Sequence, residues 1–160
     1  MIRNIEQEDI SEILNIYQAG INTGIATFET TVPNIATWHQ KYHSSLRFLY
    51  EENQKILGWI SITPISSRAT YQGVGEVSVY ILPEAHGKGI ATMLLQYLIE
   101  QAKAQNYWML QSSIFQNNLA SIQLHQKTGF RTVGIRKGIA QRNGQWQNTV
   151  IMEKHLILEF

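Results

Sequence analysis

Cysteine is absent from the 160 residues, so the chain has no disulfide framework, no thiolate metal site and no cysteinyl acyl-enzyme. An excess of either charge is also lacking: 13 Lys and Arg stand against 12 Asp and Glu, a formal net charge of +1. With the signs interspersed there is no electrostatic stripe of the kind that nucleic acid or an anionic membrane demands, and the expected partner is a small molecule. No apolar run approaches the roughly 20 residues of a membrane span. Met1-Ile2-Arg3-Asn4-Ile5-Glu6 lacks the apolar core of a signal peptide. A cytoplasmic protein is the default expectation. Internal repeats and low-complexity linkers are missing too, and 44% hydrophobic content suits one domain over residues 1–160 with a real core.

What is present is organised around Val77-Ser78-Val79-Tyr80-Ile81-Leu82-Pro83, then Glu84-Ala85-His86-Gly87-Lys88-Gly89-Ile90-Ala91-Thr92. Val77, Val79 and Ile81 alternate with other side chains as a strand requires, and Pro83 can donate no ladder hydrogen bond, so pairing should stop there. Ile90, Leu94, Tyr97, Leu98 and Ala102 repeat at helical spacing. The glycines between strand and helix let a ligand approach the backbone where amide N–H groups converge at a helix N-terminus. That is an anion site, most naturally for phosphate. No Gly-Lys-Ser/Thr completes a P-loop, and the glycine spacing misses the dinucleotide fingerprint.

Elsewhere, Ile2 to Ile5 reads as a strand, and Ile10, Ile13, Leu14 and Tyr17 mark a helix that Gly20 should stop. Ile35, Trp38 and Tyr42 share a face of a shorter helix, and Ala26-Thr27-Phe28-Glu29-Thr30 before it is a loop suited to lie over a pocket. Phe48 to Glu51 and Ile56 to Thr63 should form an antiparallel hairpin. Trp108 to Ile114 is a further strand. Leu119 to Lys127 reads as a helix capped by Asn118 and closed by Gly129. Phe130 to Arg136 and Thr149 to Leu156 are the last strands, joined by more than a two-residue loop although Asn143-Gly144 falls between them. The order predicts an α/β (α+β) fold: a mixed, mostly antiparallel twisted sheet of about seven strands flanked on both faces by about four helices, with one parallel crossover around the glycine loop.

The strand with His86-Gly87-Lys88-Gly89-Ile90-Ala91 resembles the acyl-CoA pyrophosphate loop of the GCN5-related N-acetyltransferase (GNAT) superfamily, with His86 where that family prefers Gln or Arg. Asn118-Leu119-Ala120-Ser121-Ile122-Gln123-Leu124-His125-Gln126-Lys127-Thr128-Gly129-Phe130 resembles its second signature. The element order matches over nearly the whole chain. Within the superfamily, Thr27-Phe28-Glu29-Thr30, Arg68-x-x-Tyr71, Glu76-x-Ser78-Val79-Tyr80-Ile81 and Leu124-His125 are similar to the phosphinothricin and methionine sulfoximine N-acetyltransferases. Ser66, Gly75 and Asn148 depart from that group's pattern.

The resemblance implies acetyl-CoA as cosubstrate, held by Val79, Tyr80, Ile81, His86, Gly87, Lys88, Gly89, Ile90, Ala91, Thr92 and Asn118, and a small amine as acceptor. An ammonium has no lone pair, so the amine needs a base, for which Glu76 is the candidate if burial raises its pKa. Its ordinary alternative is a solvated glutamate or one paired with Arg68. Backbone N–H groups near Val79, Tyr80 and Ile81 would meet the oxyanion. His125 would protonate or stabilise the departing CoA thiolate, or be a satisfied structural histidine. Arg68 would hold a substrate carboxylate, with Phe28, Glu29 and Tyr71 around the acceptor. For Arg68 and Lys88 the alternative is a solvated surface charge; for Asn118 it is a plain cap.

His39 and His43 have the i, i+4 spacing of zinc ligands without a third, so no metal is expected, and no Gly-x-Ser-x-Gly elbow points to hydrolysis. The apolar tail Leu156-Ile157-Leu158-Glu159-Phe160 and the exposed end of the last strand suggest a homodimer. Two other readings stand beside the amino-acid acetyltransferase: a GNAT enzyme for a polyamine, aminoglycoside or protein N-terminus, and a non-catalytic CoA-binding sensor.

Overall fold

The computed structural model describes all 160 residues. The chain runs β1 (Ile2–Asn4), α1 (Ile10–Asn22), α2 (Ile35–Lys41), β2 (Arg47–Glu52), β3 (Lys55–Pro64), β4 (Val74–Ile81), α3 (Ile90–Ala104), β5 (Met109–Phe115), α4 (Leu119–Lys127), β6 (Arg131–Arg142) and β7 (Gln145–His155). All seven strands join one sheet in the order β1-β2-β3-β4-β5-β7-β6. Only β4 and β5 pair in parallel. They flank α3, the crossover that parallel neighbours need. The α/β fold with a mostly antiparallel sheet and four helices is thus as the element order predicts.

Alternation along the strands separates two cores. Val77, Val79 and Ile81 of β4 turn toward an aliphatic layer with Ile60 and Ile62 of β3 and Leu94, Leu95 and Leu98 of α3. On the opposite face Tyr80 meets an aromatic layer built by Trp59 of β3, Ile13 and Tyr17 of α1, and Trp38 of α2. Trp59 and Tyr80 are direct partners across β3 and β4, with their rings stacked at 5.2 Å. Asn34 starts α2 by accepting the Thr37 N–H at 2.8 Å, which fills one of the donors a helix N-terminus leaves unpaired.

Three expectations are corrected. Gly20 does not stop α1, which continues to Asn22. Its missing side chain serves packing, because a Cβ there would lie 2.5 Å from the Tyr80 ring. The last two strands extend to meet across Asn143-Gly144 alone, and both residues take the positive φ (54° and 75°) that a primed two-residue hairpin turn requires. That hairpin places β7 between β5 and β6, so the sheet's two edges are β1 and β6 and the last strand is an inner one. In the tail Leu156 is buried, while Ile157, Leu158 and Phe160 are exposed.

Candidate active site

β4 and β5 pair only through Val74, Gly75 and Glu76 against Met109, Leu110 and Gln111. Past Glu76 the strands part, leaving the β5-facing edge of β4 with no strand opposite it. A cavity of about 780 Å³ opens at this fork, with Val79, Tyr80 and Ile81 along one wall and Ser112 to Phe115 along the other. Unpaired main-chain donors at a sheet fork give a fixed set of dipoles for a carbonyl oxygen.

At the far end of β4, Pro83–Ala85 forms a 3-10 turn and the chain then passes through Gly87 and Gly89 at φ +80° and +77°. L side chains rarely adopt that region, which accounts for the glycines. A Cβ at either would meet no protein atom within 4 Å, so the space beside this backbone is open. Gly89 is the N-cap of the 15-residue α3, and Ile90, Ala91 and Thr92 of its first turn line the cleft. The cradle fits a pyrophosphate. His86 does not reach out as Gln or Arg would: its Nε2 donates to the Ile81 carbonyl at 3.0 Å and ties the loop to the end of β4. Lys88 lies outside the lining and is exposed.

Glu76 stands at the apex of the fork, facing the same layer as Ser78 and Tyr80. Burial raises its carboxyl above the usual carboxylate range, partly offset by the Gln111 side-chain amide, which donates to Oε2 at 3.4 Å, and by the positive charges of Lys41 and Arg136. A carboxylate so placed is a stronger base than one in water. Tyr17, Tyr42 and Tyr80 line the cleft beside it. Burial pushes the Tyr42 and Tyr80 hydroxyls far above the ordinary tyrosine range, so both remain neutral hydrogen-bonding groups.

His125 lines the cleft from α4 yet is 2% exposed. Its Nδ1 lies 2.7 Å from the Ser121 carbonyl, which can only accept, so the ring proton sits there. Nε2 is left to accept from the Ser112 hydroxyl at 2.8 Å. Burial lowers the imidazole pKa, outweighing the Ser121 bond, and the neutral ring has no free N–H to offer. The Ser112 hydroxyl gives its one proton to Nε2, so the pair offers the cleft acceptor lone pairs and no donor.

The loop after α1 covers the cleft. Phe28 packs on Phe115 with ring centroids 4.5 Å apart, and Asn118, besides accepting the Ser121 N–H at 3.3 Å, donates to the Ile25 carbonyl at 3.4 Å. Phe28, Glu29 and Asn118 all line the cavity. Arg68 and Tyr71 do not; they pair with each other on the surface, the guanidinium 5.5 Å from the ring centre. Sequence reasoning missed Lys41, Ser78 and Ser112 in the lining, along with Tyr17 and Tyr42. Parity with Glu76 would have found Ser78, whereas Lys41 and Ser112 carry no local signal. His39 and His43 turn to separate partners, Arg47 at 2.8 Å and the Ser45 N–H at 3.2 Å. No group of three His, Cys, Asp or Glu is placed to hold a metal ion, and no helix is long and apolar enough to cross a membrane.

A forked sheet, a glycine cradle at a helix start and a half-buried carboxylate between them fit an acyl-CoA-dependent acyltransferase. The acetyltransferase (GNAT) domain model matches residues 2–151, and the chain belongs to that family. It is 30% identical to the phosphinothricin N-acetyltransferase of Alcaligenes faecalis over 97% of this chain and 82% of that one. It is 29% identical to an L-methionine sulfoximine/L-methionine sulfone acetyltransferase of Pseudomonas aeruginosa, covering 97% and 94%. A solved phosphinothricin acetyltransferase from Sinorhizobium meliloti, in complex with acetyl-CoA, superposes with a TM-score of 0.89 at 27% identity, covering 97% of this chain and 87% of that one. The protein is an N-acetyltransferase that uses acetyl-CoA.

Proposed function

We propose that residues 1–160 act as one domain that acetylates the amine of a small amino-acid-like acceptor of the phosphinothricin or methionine sulfoximine type, by direct attack while both substrates are bound. The observation that carries this is Glu76, a half-buried carboxylate with a raised pKa at the apex of the fork, between an open strand edge and a pocket floored by neutral hydroxyls. Gly87, Gly89 and the first turn of α3 hold the pyrophosphate of acetyl-CoA, which supplies a thioester activated for acyl transfer. Glu76 accepts the proton of the incoming ammonium. Main-chain N–H groups of β4 beyond Glu76 meet the negative charge that grows on the acetyl oxygen. His125 and Ser112 brace α4 against β5 beside the cleft, and with the one hydroxyl proton given to His125 Nε2 neither side chain donates to the departing sulfur in this arrangement. With no cysteine in the chain, a cysteinyl intermediate is not available.

Free-thiol release from acetyl-CoA, followed with methionine sulfoximine, phosphinothricin, ordinary L-amino acids, a polyamine and an aminoglycoside as separate acceptors, tests the reading. Thiol that depends on the first two is the expected result. Release with polycations alone moves the acceptor class, and cofactor binding without release for any acceptor favours a CoA-binding sensor. The exposed edge β6, with Val133, Ile135 and Ile139 each about half exposed, supports a homodimer. A monomer mass by light scattering would count against that.

A further inference from the structure

An α-amino acid carries its amine and its carboxylate on one carbon. A site that takes the amine to a base must therefore meet a second charge within a few ångströms, or leave a carboxylate desolvated and unpaired at high cost. The sequence offered Arg68 for this, but Arg68 is exposed, stacks on Tyr71 and lies outside the cleft. No arginine lines the cleft, and its two lysines differ in position. Lys127 ends α4, on the aliphatic side of the sheet with the cofactor loop. Lys41 ends α2, on the aromatic side that Glu76, Ser78 and Tyr80 face.

Lys41 has no ion-pair partner, and its Nζ stands 5.3 Å from the centre of the Tyr42 ring. Tyr42 is buried and fixed at the end of the helix, so the lysine stem has a rigid base beside the pocket floor. Lys41 is also among the cations whose field reaches the Glu76 carboxylate. Arg136, the other, sits on β6 outside the lining.

We propose that Lys41 is the carboxylate anchor of the acceptor site, selecting an α-amino acid or analogue with a free carboxylate. This rests on the acetyltransferase reading above and deepens it. The ammonium of the acceptor goes to Glu76 and its carboxylate to Lys41, while Tyr17, Tyr42, Ser78 and Tyr80 receive the side chain. A cation at that point repels polyamines and aminoglycosides, so the same residue supplies attraction and exclusion.

The test compares kcat/KM for methionine sulfoximine and for its carboxamide in the wild type, Lys41→Met and Lys41→Arg. Because Lys41 is exposed on a helix end, neither substitution threatens the fold. A charge-assisted contact is worth enough that the preference for the free acid over the amide should fall about 10-fold in Lys41→Met. The loss should appear as a higher acceptor KM with little change in kcat, and the acetyl-CoA dissociation constant should stay at its wild-type value. Lys41→Arg should keep most of the preference. An acid-to-amide ratio in Lys41→Met equal to that of the wild type overturns the anchor while leaving the acetyltransferase reading intact. A wild-type enzyme that acetylates other amines but not the free acid overturns the amino-acid reading itself, and the anchor with it.

Discussion

The two faces of the sheet are built from different materials. Nineteen buried residues, mostly aliphatic but with Phe48, Tyr107 and Phe130 among them, fill the face covered by α3, whereas ten fill the face covered by α1 and α2, among them Tyr17, Trp38, Tyr42 and Trp59. The aliphatic face serves to hold the start of α3 and the glycine loop still, and the cofactor contacts proposed above it would be largely main chain. On the aromatic face the same side chains that make the core also end in the cleft: Tyr17 and Tyr42 are 1% and 3% exposed yet line it. On the proposed assignment, stability and cofactor binding are therefore separable on one side, and stability and acceptor binding are joined on the other. Large aromatics with a polar tip allow this, since the ring packs while the hydroxyl faces the pocket.

The strongest challenge to that division is Glu76→Gln, at the point where the two halves meet. Turnover should fall by about 10²-fold or more, the usual range for losing a general base, with acetyl-CoA affinity unchanged. In the wild type kcat should decline as pH falls through the raised Glu76 pKa, because the protonated acid cannot accept a proton. That acid limb should be absent from the variant, and a limb that persists assigns the titration to another group.

Trp59→Ala removes the ring on which Tyr17, Trp38, Tyr42 and Tyr80 converge, and should cost about 3–5 kcal/mol of stability. The comparison sharpens if the acceptor KM rises as well while the cofactor constant holds, as chemical denaturation and steady-state kinetics would show. Gly89→Val acts on the other half. A β-branched residue at φ +77° is strained by about 1–3 kcal/mol, so the apparent acetyl-CoA constant should rise about 10-fold or more and acceptor affinity should not change. Wild-type cofactor binding in that variant would remove the loop from the site.

The smallest effect is on pH and stability. The folded His125 pKa lies below 6.5, so the unfolded chain takes up the proton first. Stability is then highest above about pH 6.5 and declines as pH falls toward the folded value, with His39 and His43 acting in the same direction through their own burial. Thermal unfolding between pH 7.5 and 5.5 should show a shallower decline in His125→Gln, and an equal slope would argue against the buried neutral ring.

Local sequence determined the elements and the cofactor cradle, because both depend on neighbours in the chain. Period-two alternation wrote β4, helical spacing wrote α3, and a glycine needed for positive φ is needed whatever packs around it. The two-residue turn at Asn143-Gly144 was also present as a signal, but the full length of β6 and β7 shows only when they pair, since Lys137 to Gly144 has no alternation of its own. Tertiary structure alone decided the acceptor half. Lys41 and Glu76 come from α2 and β4, and their meeting in one cleft depends on where β4 and β5 part. The exclusion of Arg68 and the neutrality of His125 are likewise products of burial and partner geometry. Charge placement in a cleft is a property of distances between segments remote in sequence, and a linear pattern holds no record of those distances.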